Sequence, residues 1–223
     1  MGPFFCGRRT GSKNLGCLVL LTAINPTLEA MNQLVLELNV RWQMFDELYS
    51  DAKNYAVLNR TGANFWATLE NLLIDDLMLS ISRFLDPPKS MGQANCSLAA
   101  MAALPETDPF RSDLQTRLNT LVTIWSKGIQ NWRHKKLSHS DMATVLGTNT
   151  LPDIPFAEIK TLVDEITAFV REMEHRLNHR DISYQCSITG WVPQVLKYLT
   201  LGIQKKDEAL RTLSDRIRPV EET

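Results

Sequence analysis

Apolar residues recur at three- and four-residue steps along most of the chain, the period of one helical face. Between Leu28 and about Leu58, Leu34, Leu38, Trp42 (or the stem of Arg41), Phe45 and Leu48 keep that spacing without an intervening Gly or Pro, which predicts a long amphipathic helix. The run Arg60-Thr61-Gly62 predicts its end. A second helix is expected from about Ala63 to Leu85, and Phe65, Trp66, Leu69, Leu72, Leu73, Ile74, Leu77, Met78, Leu79, Ile81 and Phe84 make it apolar nearly all round. Such a helix belongs at the centre of a bundle, and Asp86-Pro87-Pro88 ends it. The stretch from Lys89 to Asn95 reads as a loop and Ser97 to Leu104 as a short helix. A third long helix is expected from about Phe110 to Trp132, with Leu114, Leu118, Leu121, Val122 and Trp125 on its apolar face. After a turn-rich loop from Gly147 to Pro155, a fourth runs from about Phe156 to Leu177 on Ile159, Leu162, Val163, Ile166, Phe169 and Val170. The last covers about Val192 to Ile217 and grows more charged towards its end. No alternating pattern of useful length and no internal repeat occurs. The expected class is all-α, a bundle of four to five long helices whose short connections make neighbours mostly antiparallel.

Three segments follow from this pattern. Residues 1–30 hold Arg8, Arg9 and Lys13 before the apolar run Leu15 to Leu21, a loose imitation of a secretory signal. Asn25-Pro26 follows in place of a clear cleavage site, and the run is too short to span a membrane. The segment reads as a disordered extension or as translation begun too early, with Met31 the natural start. Residues 31–180 form the expected bundle, and 181–223 supply a C-terminal helix that packs on it or builds a dimer interface. A secreted or membrane-tethered protein has only Leu15 to Leu21 in its favour.

Composition narrows the function classes. With 223 residues the chain can bury a real core, and 44% hydrophobic and 22% charged residues are ordinary for a globular protein. A net charge of −1 gives no global field for nucleic acid, so any RNA contact must be local. Cys6, Cys17, Cys96 and Cys186 include no C-x-x-C pair, which speaks against a structural zinc site or a disulfide framework and suits a reducing, cytoplasmic setting.

One stretch concentrates chemistry: Asn131-Trp-Arg-His-Lys-Lys-Leu-Ser-His-Ser-Asp141. From Ser126 to Asp141 there are four Lys or Arg and one Asp, a local charge of +3. Such an island suits an anionic substrate such as a phosphodiester. His139 has the side-chain type that exchanges protons near neutral pH, and Arg133 offers a planar fork of donors for phosphate oxygens. Together they suffice for ribose-assisted RNA cleavage, the imidazole deprotonating the 2′-hydroxyl and the guanidinium stabilising the phosphorane. The nucleophile belongs to the substrate, so this chemistry calls for neither metal nor cofactor. Spacing alone is weak: chance gives roughly 0.75 such Arg–His matches in a chain with this many Arg and His. A basic helix end complementing the helix dipole would account for it equally.

The context adds more. The motif Arg133-His-Lys-Lys-Leu-Ser-His139-Ser-Asp141 follows a long amphipathic helix in an all-α chain, after an apolar helix ending Leu79-Ser-Ile-Ser-Arg-Phe-Leu-Asp-Pro87. In that combination the chain resembles the HEPN superfamily (higher-eukaryote and prokaryote nucleotide-binding helical domains), closest to its abortive-infection-protein-U-like subgroup, over about Leu34 to Leu177. The resemblance implies a homodimer that joins two such motifs in one cleft, a metal-independent endoribonuclease acting on RNA, and a role as toxin or anti-phage effector with a cognate antitoxin as a candidate partner. It gives Arg133 and His139 the catalytic positions. Many toxin members carry a Tyr two residues after the His; here Asp141 stands there, which puts that mode of control in doubt. The alternative is a catalytically inactive helical dimerisation or scaffold module.

Accessory residues are expected around the pair. Asp76, Ser80 and Arg83 form a polar stripe on the apolar second helix, and a buried charge must close an ion pair or face a site. The family commonly sets an acidic or polar side chain from an earlier helix near its Arg–His pair, for which Asp76 is the candidate; a structural pair of Asp75 or Asp76 with a neighbouring helix is the other reading. His134, Lys135 and Lys136, with Ser140 and Asp141, are expected to face substrate. His175 and His179 share an i, i+4 face but lack a third ligand nearby in sequence, so no metal site is expected. The five Trp read as core or interface anchors.

Overall fold

The computed structural model describes residues 25–104, 108–137, 146, 153–184 and 190–217. The first helix, α1, runs Pro26–Tyr49. Asn25 caps it by accepting from the Thr27 N–H at 3.0 Å, and Pro26 occupies a first-turn position where its missing N–H costs nothing. Its core face is Leu28, Met31, Val35, Leu38, Phe45 and Leu48, all buried, whereas Leu34, expected there, is 39% exposed. Core packing thus begins at Leu28, before Met31.

The chain reverses earlier than the sequence suggests. The break expected at Arg60-Thr61-Gly62 lies at Ser50-Asp51, where Ser50 bonds back to the Asp46 carbonyl and Asp51 caps α2 through the Lys53 N–H at 2.8 Å. Helix α2 then spans Ala52–Phe84 and is only kinked at Gly62. The kink is bridged by side chains: Thr61 Oγ1 donates to the Leu58 carbonyl at 3.0 Å and accepts from Trp66 Nε1 at 3.1 Å. Glycine is the more visible breaker in sequence, but a capping Asp at a reversal outranks it here. The apolar girdle of α2 is unevenly buried: Leu77, Met78, Ile81 and Phe84 enter the core, while Phe65 and Leu72 are exposed.

Two two-residue strands, β1 (Lys89–Ser90) and β2 (Gln93–Ala94), pair antiparallel where a loop was expected. Met91 and Gly92 both take positive φ, the pairing that matches a tight hairpin turn to strand twist. Helix α3 (Leu98–Ala102) is capped by Ser97, and α4 covers Asp108–Lys127. Gly128 interrupts the run, so the expected third helix is α4, a short α5 (Ile129–Trp132) and a π-helical turn, Arg133–Leu137. Helix α6 is Phe156–Asn178 and α7 is Trp191–Ile217. Among the described residues there are thus seven α-helices where four to five long ones were expected; five are long, and α3 and α5 are single turns.

Helix α1 packs on α2 and α6, α4 on α6, and α7 on α2. Phe169, Leu162, Val163 and Ile166 of α6 are fully buried between α1 and α4. One polar cluster sits inside. Glu174 is 0% exposed and accepts from Asn32 Nδ2 and from Asn178 Nδ2 at 2.9 Å, while the Tyr184 hydroxyl donates to Asn32 Oδ1. It ties α1, α6 and the segment after α6 together. No helix of the described residues is long and apolar enough to cross a membrane.

The tyrosines give a pH prediction. Burial, then the Glu174 charge, pushes the Tyr184 hydroxyl from 10.0 up to about 12. Burial and Glu70 do the same to Tyr49, and a hydrogen bond to Glu70 raises Tyr55 likewise. An unfolded chain releases these protons near pH 10.0 while the folded one keeps them to about 12. The stability they contribute is therefore intact below pH 10.0 and lost as pH rises towards about 12. In a Tyr198→Phe variant, which leaves only these three tyrosines, helical circular dichroism across that range should fall in step with tyrosinate absorbance; tyrosinate forming near pH 10.0 in that protein while it stays fully helical would contradict it.

Candidate functional site

The basic stretch begins where α4 stops. A Cβ on Gly128 would stand 3.1 Å from Ile154 Cγ1, so the chain turns there against a side chain of the segment entering α6. The turn restarts as α5 and then widens into the π turn that carries Arg133, a local form often found at functional sites. Trp125, one turn before the break, donates its indole N–H to Ser82 Oγ at 3.1 Å, with Ser82 fully buried, and this pins α4 to the end of α2. Gly128→Ala should cost about 1–2 kcal/mol through displacement of Ile154, read as a lower melting temperature. An unchanged melting temperature would show that Ile154 yields freely.

Arg133 meets Asp86, two residues past the end of α2. Both terminal nitrogens donate to the carboxylate, Nη1 to Oδ1 and Nη2 to Oδ2, the second at 3.2 Å. The pair is largely covered, 24% exposed at Arg133 and 19% at Asp86. A guanidinium has five N–H donors, so a fork engaged by one carboxylate retains donors for a phosphate oxygen. Lys136 donates to Asp75 Oδ1 at 2.7 Å and lies 4.4 Å over the Trp132 ring. The island is therefore less cationic than its residues suggest, since two of its four cations have carboxylate partners.

The other expected residues divide. Asp76 does not join Arg133: Arg41 of α1 binds it at 2.6 Å, so it closes a structural pair between α1 and α2. Arg83 is exposed and, with Ser80, lines a cleft of about 60 Å³ shared with Leu34, Glu37, Arg41 and Cys96, opposite a different helix. Burial raises the Cys96 thiol above its ordinary value. His134 is exposed. His139, Ser140, Asp141 and the side chain of Lys135 lie outside the described residues. His179 leaves α6 in a left-handed conformation at φ 52°, and His175 bonds to Asp181 at 3.0 Å, so the two histidines do not share a helical face. Among the described residues no group of His, Cys, Asp and Glu is arranged to hold a metal ion.

Sequence reasoning missed Asp86 as a partner of Arg133. In sequence it reads as the stop before two prolines, and its partner stands 47 residues away. Asp75 was weighed only as a structural acid, yet it holds a lysine of the island.

A family model described as HEPN_AbiU2 (AbiU2) matches residues 24–189. No curated protein and no solved structure matches the chain.

Proposed function

The chain belongs to the HEPN superfamily, in its AbiU2-like group, and from that premise we propose that it is a metal-independent endoribonuclease. In this reading it cleaves RNA by attack of the ribose 2′-oxygen on the adjacent phosphorus, forming a cyclic phosphate and expelling the 5′-oxygen. His139 takes the 2′-hydroxyl proton, and Arg133 stabilises the charge that builds on the phosphoryl oxygens. His134, Lys135, Lys136, Ser140 and Asp141 bind or orient the RNA. Two copies contribute one Arg and one His each to a composite cleft, and the protein acts in the cytoplasm as a toxin or anti-phage effector under a cognate antitoxin.

The observation that carries the reading is the Arg133–Asp86 pair. The motif arginine stands on a π turn, largely covered and fixed by a two-point carboxylate contact. A guanidinium whose orientation is fixed before substrate arrives costs little to align on a phosphorane. The same pair also favours a second reading, a catalytically inactive dimerisation or scaffold module, because the Asp86 carboxylate already offsets the arginine's charge.

Cleavage of total RNA in the presence of EDTA separates the two, with growth arrest on expression as a parallel readout. The wild type is expected to cut, and Arg133→Ala and His139→Ala to leave RNA intact. An inert wild type, or two variants that cut as fast as wild type, would leave the scaffold reading standing.

A further inference from the structure

On the polar stripe of α2, Asp76 is taken up by Arg41 of α1 at 2.6 Å. Ser80 and Arg83, one and two turns further on, instead line the cleft of about 60 Å³ between α1 and the end of α2, to which Cys96 also contributes. Ser80 is 7% exposed, and its side chain makes no hydrogen bond among the described residues. Among those residues the one sealed polar side-chain atom without a partner is Glu47 Oε2, so the Ser80 hydroxyl is not sealed and opens into the cleft. A largely buried hydroxyl left unbonded is costly, and alanine would form the helix better.

The two guanidinium groups beside it differ. Arg41 is held by two carboxylates, Asp76 at 2.6 Å and Glu37 at 3.4 Å. Arg83 is exposed and has no carboxylate partner among the described residues. The cleft thus presents a free fork of N–H donors together with a free hydroxyl. The rest of its lining is apolar: Phe84, the thiol of Cys96, and Leu34, which is 39% exposed although the apolar period places it in the core.

We propose that this cleft binds a small monocarboxylate, its charged end on Arg83 and Ser80 and a short aliphatic or aromatic body against Leu34, Phe84 and Cys96. Arginine meets a carboxylate through two parallel N–H bonds, and the hydroxyl supplies a third donor. Glu37 decides for one negative charge over two. It lines the same cleft, so a phosphate dianion would carry its second charge towards a carboxylate. Volume sets the other limit. About 60 Å³ is a few times the roughly 10–15 Å³ that a single water needs, room for a handful of heavy atoms and too little for a nucleotide.

Neither Arg133 nor Asp86 lines the cleft. Binding is measured without RNA, so failure of the nuclease reading leaves the proposal untouched.

Isothermal titration of the full chain with isovalerate and with benzoate tests it. At least one should bind with a Kd of about 1 mM or tighter, within reach of so few heavy atoms. Isovaleramide, benzamide and inorganic phosphate should bind about tenfold more weakly or worse. Arg83→Ala, at an exposed position, should abolish binding with the melting temperature unchanged, and Arg83→Lys should restore only part of it, because an ammonium group lacks the fork. Ser80→Ala should weaken binding by about tenfold. Cys96 then locates the ligand. In a chain carrying Cys6→Ser, Cys17→Ser and Cys186→Ser, saturating carboxylate should slow alkylation of Cys96 by iodoacetamide several-fold. No binding of either carboxylate, equal binding of the amides or of phosphate, unchanged binding in Arg83→Ala, or Cys96 alkylated at the same rate with carboxylate bound would each overturn the proposal.

Discussion

Replacing Arg133 by Ala is expected to slow RNA cleavage about 10²–10³-fold, the effect of removing one preorganised donor from a developing oxyanion. His139→Ala should cost about 10²–10⁴-fold, the usual contribution of a positioned general base. The two act on one transition state, so the double variant should be little slower than the slower single one. Arg133→Lys tests the geometry: the charge stays, but an ammonium group cannot engage both oxygens of the Asp86 carboxylate as the guanidinium does. Asp86→Asn keeps the shape and removes the charge that holds the fork, so cleavage should fall by about tenfold or more, since misplacing a catalytic group is costly. The pair is only partly open to solvent, so its loss should cost stability between the exposed and buried limits, about 1–2 kcal/mol. Single-turnover cleavage and thermal melts on the same samples separate the two roles. A variant that melts lower but cuts normally would make Asp86 a purely structural partner, and an Arg133→Ala protein cutting at the wild-type rate would end the catalytic assignment.

The largest stability loss should come from Glu174→Ala. That carboxylate is fully buried, and its partners come from three places: Asn32 on α1, Asn178 at the end of α6, and Arg180 beyond it, whose Nε lies 3.8 Å away. Truncation leaves two amide groups without their acceptor and opens a cavity, together about 3–5 kcal/mol. For a chain of this size that lowers the melting temperature by about 10 °C or more. Glu174→Gln should lose roughly half as much, because one acceptor survives while the other becomes a donor facing an amide. Tyr184→Phe, which removes the hydroxyl donated to Asn32, should cost about 1 kcal/mol. If Glu174→Ala melts within a degree or two of wild type, the cluster contributes nothing to the fold.

Neither Glu174 nor Asp86 could be singled out from the sequence. Glu174 stands in a helix of mixed charge among Arg171, Glu172 and Arg176, and only the packing of α1 over α6 buries it. Asp75 and Asp76 make the difficulty concrete. They are adjacent in the chain, yet a step of about 100° on the helix sends one to Lys136 and the other to Arg41. Choosing between them needs the rotation of α2 about its own axis, which is set by contacts with residues 30 to 60 positions away. The first reversal was misjudged for a similar reason, because a glycine that merely kinks α2 resembles one that ends it.

What the sequence by itself determined is local. The 3.6-residue apolar period predicts the five long helices, the proline pair marks the end of α2, and the sequence of the Arg133 motif carries the family resemblance. Each is decided within a few helical turns. The tertiary structure decided which carboxylate faces Arg133, that Lys136 and Asp76 are held by partners from other elements, and that His179 leaves its helix. It also decided that Val192 of α7 is buried while Trp191, Tyr198 and Leu213 of the same helix are exposed. Those outcomes depend on the rotation and register of packed helices, and a residue's place in the sequence does not contain that information.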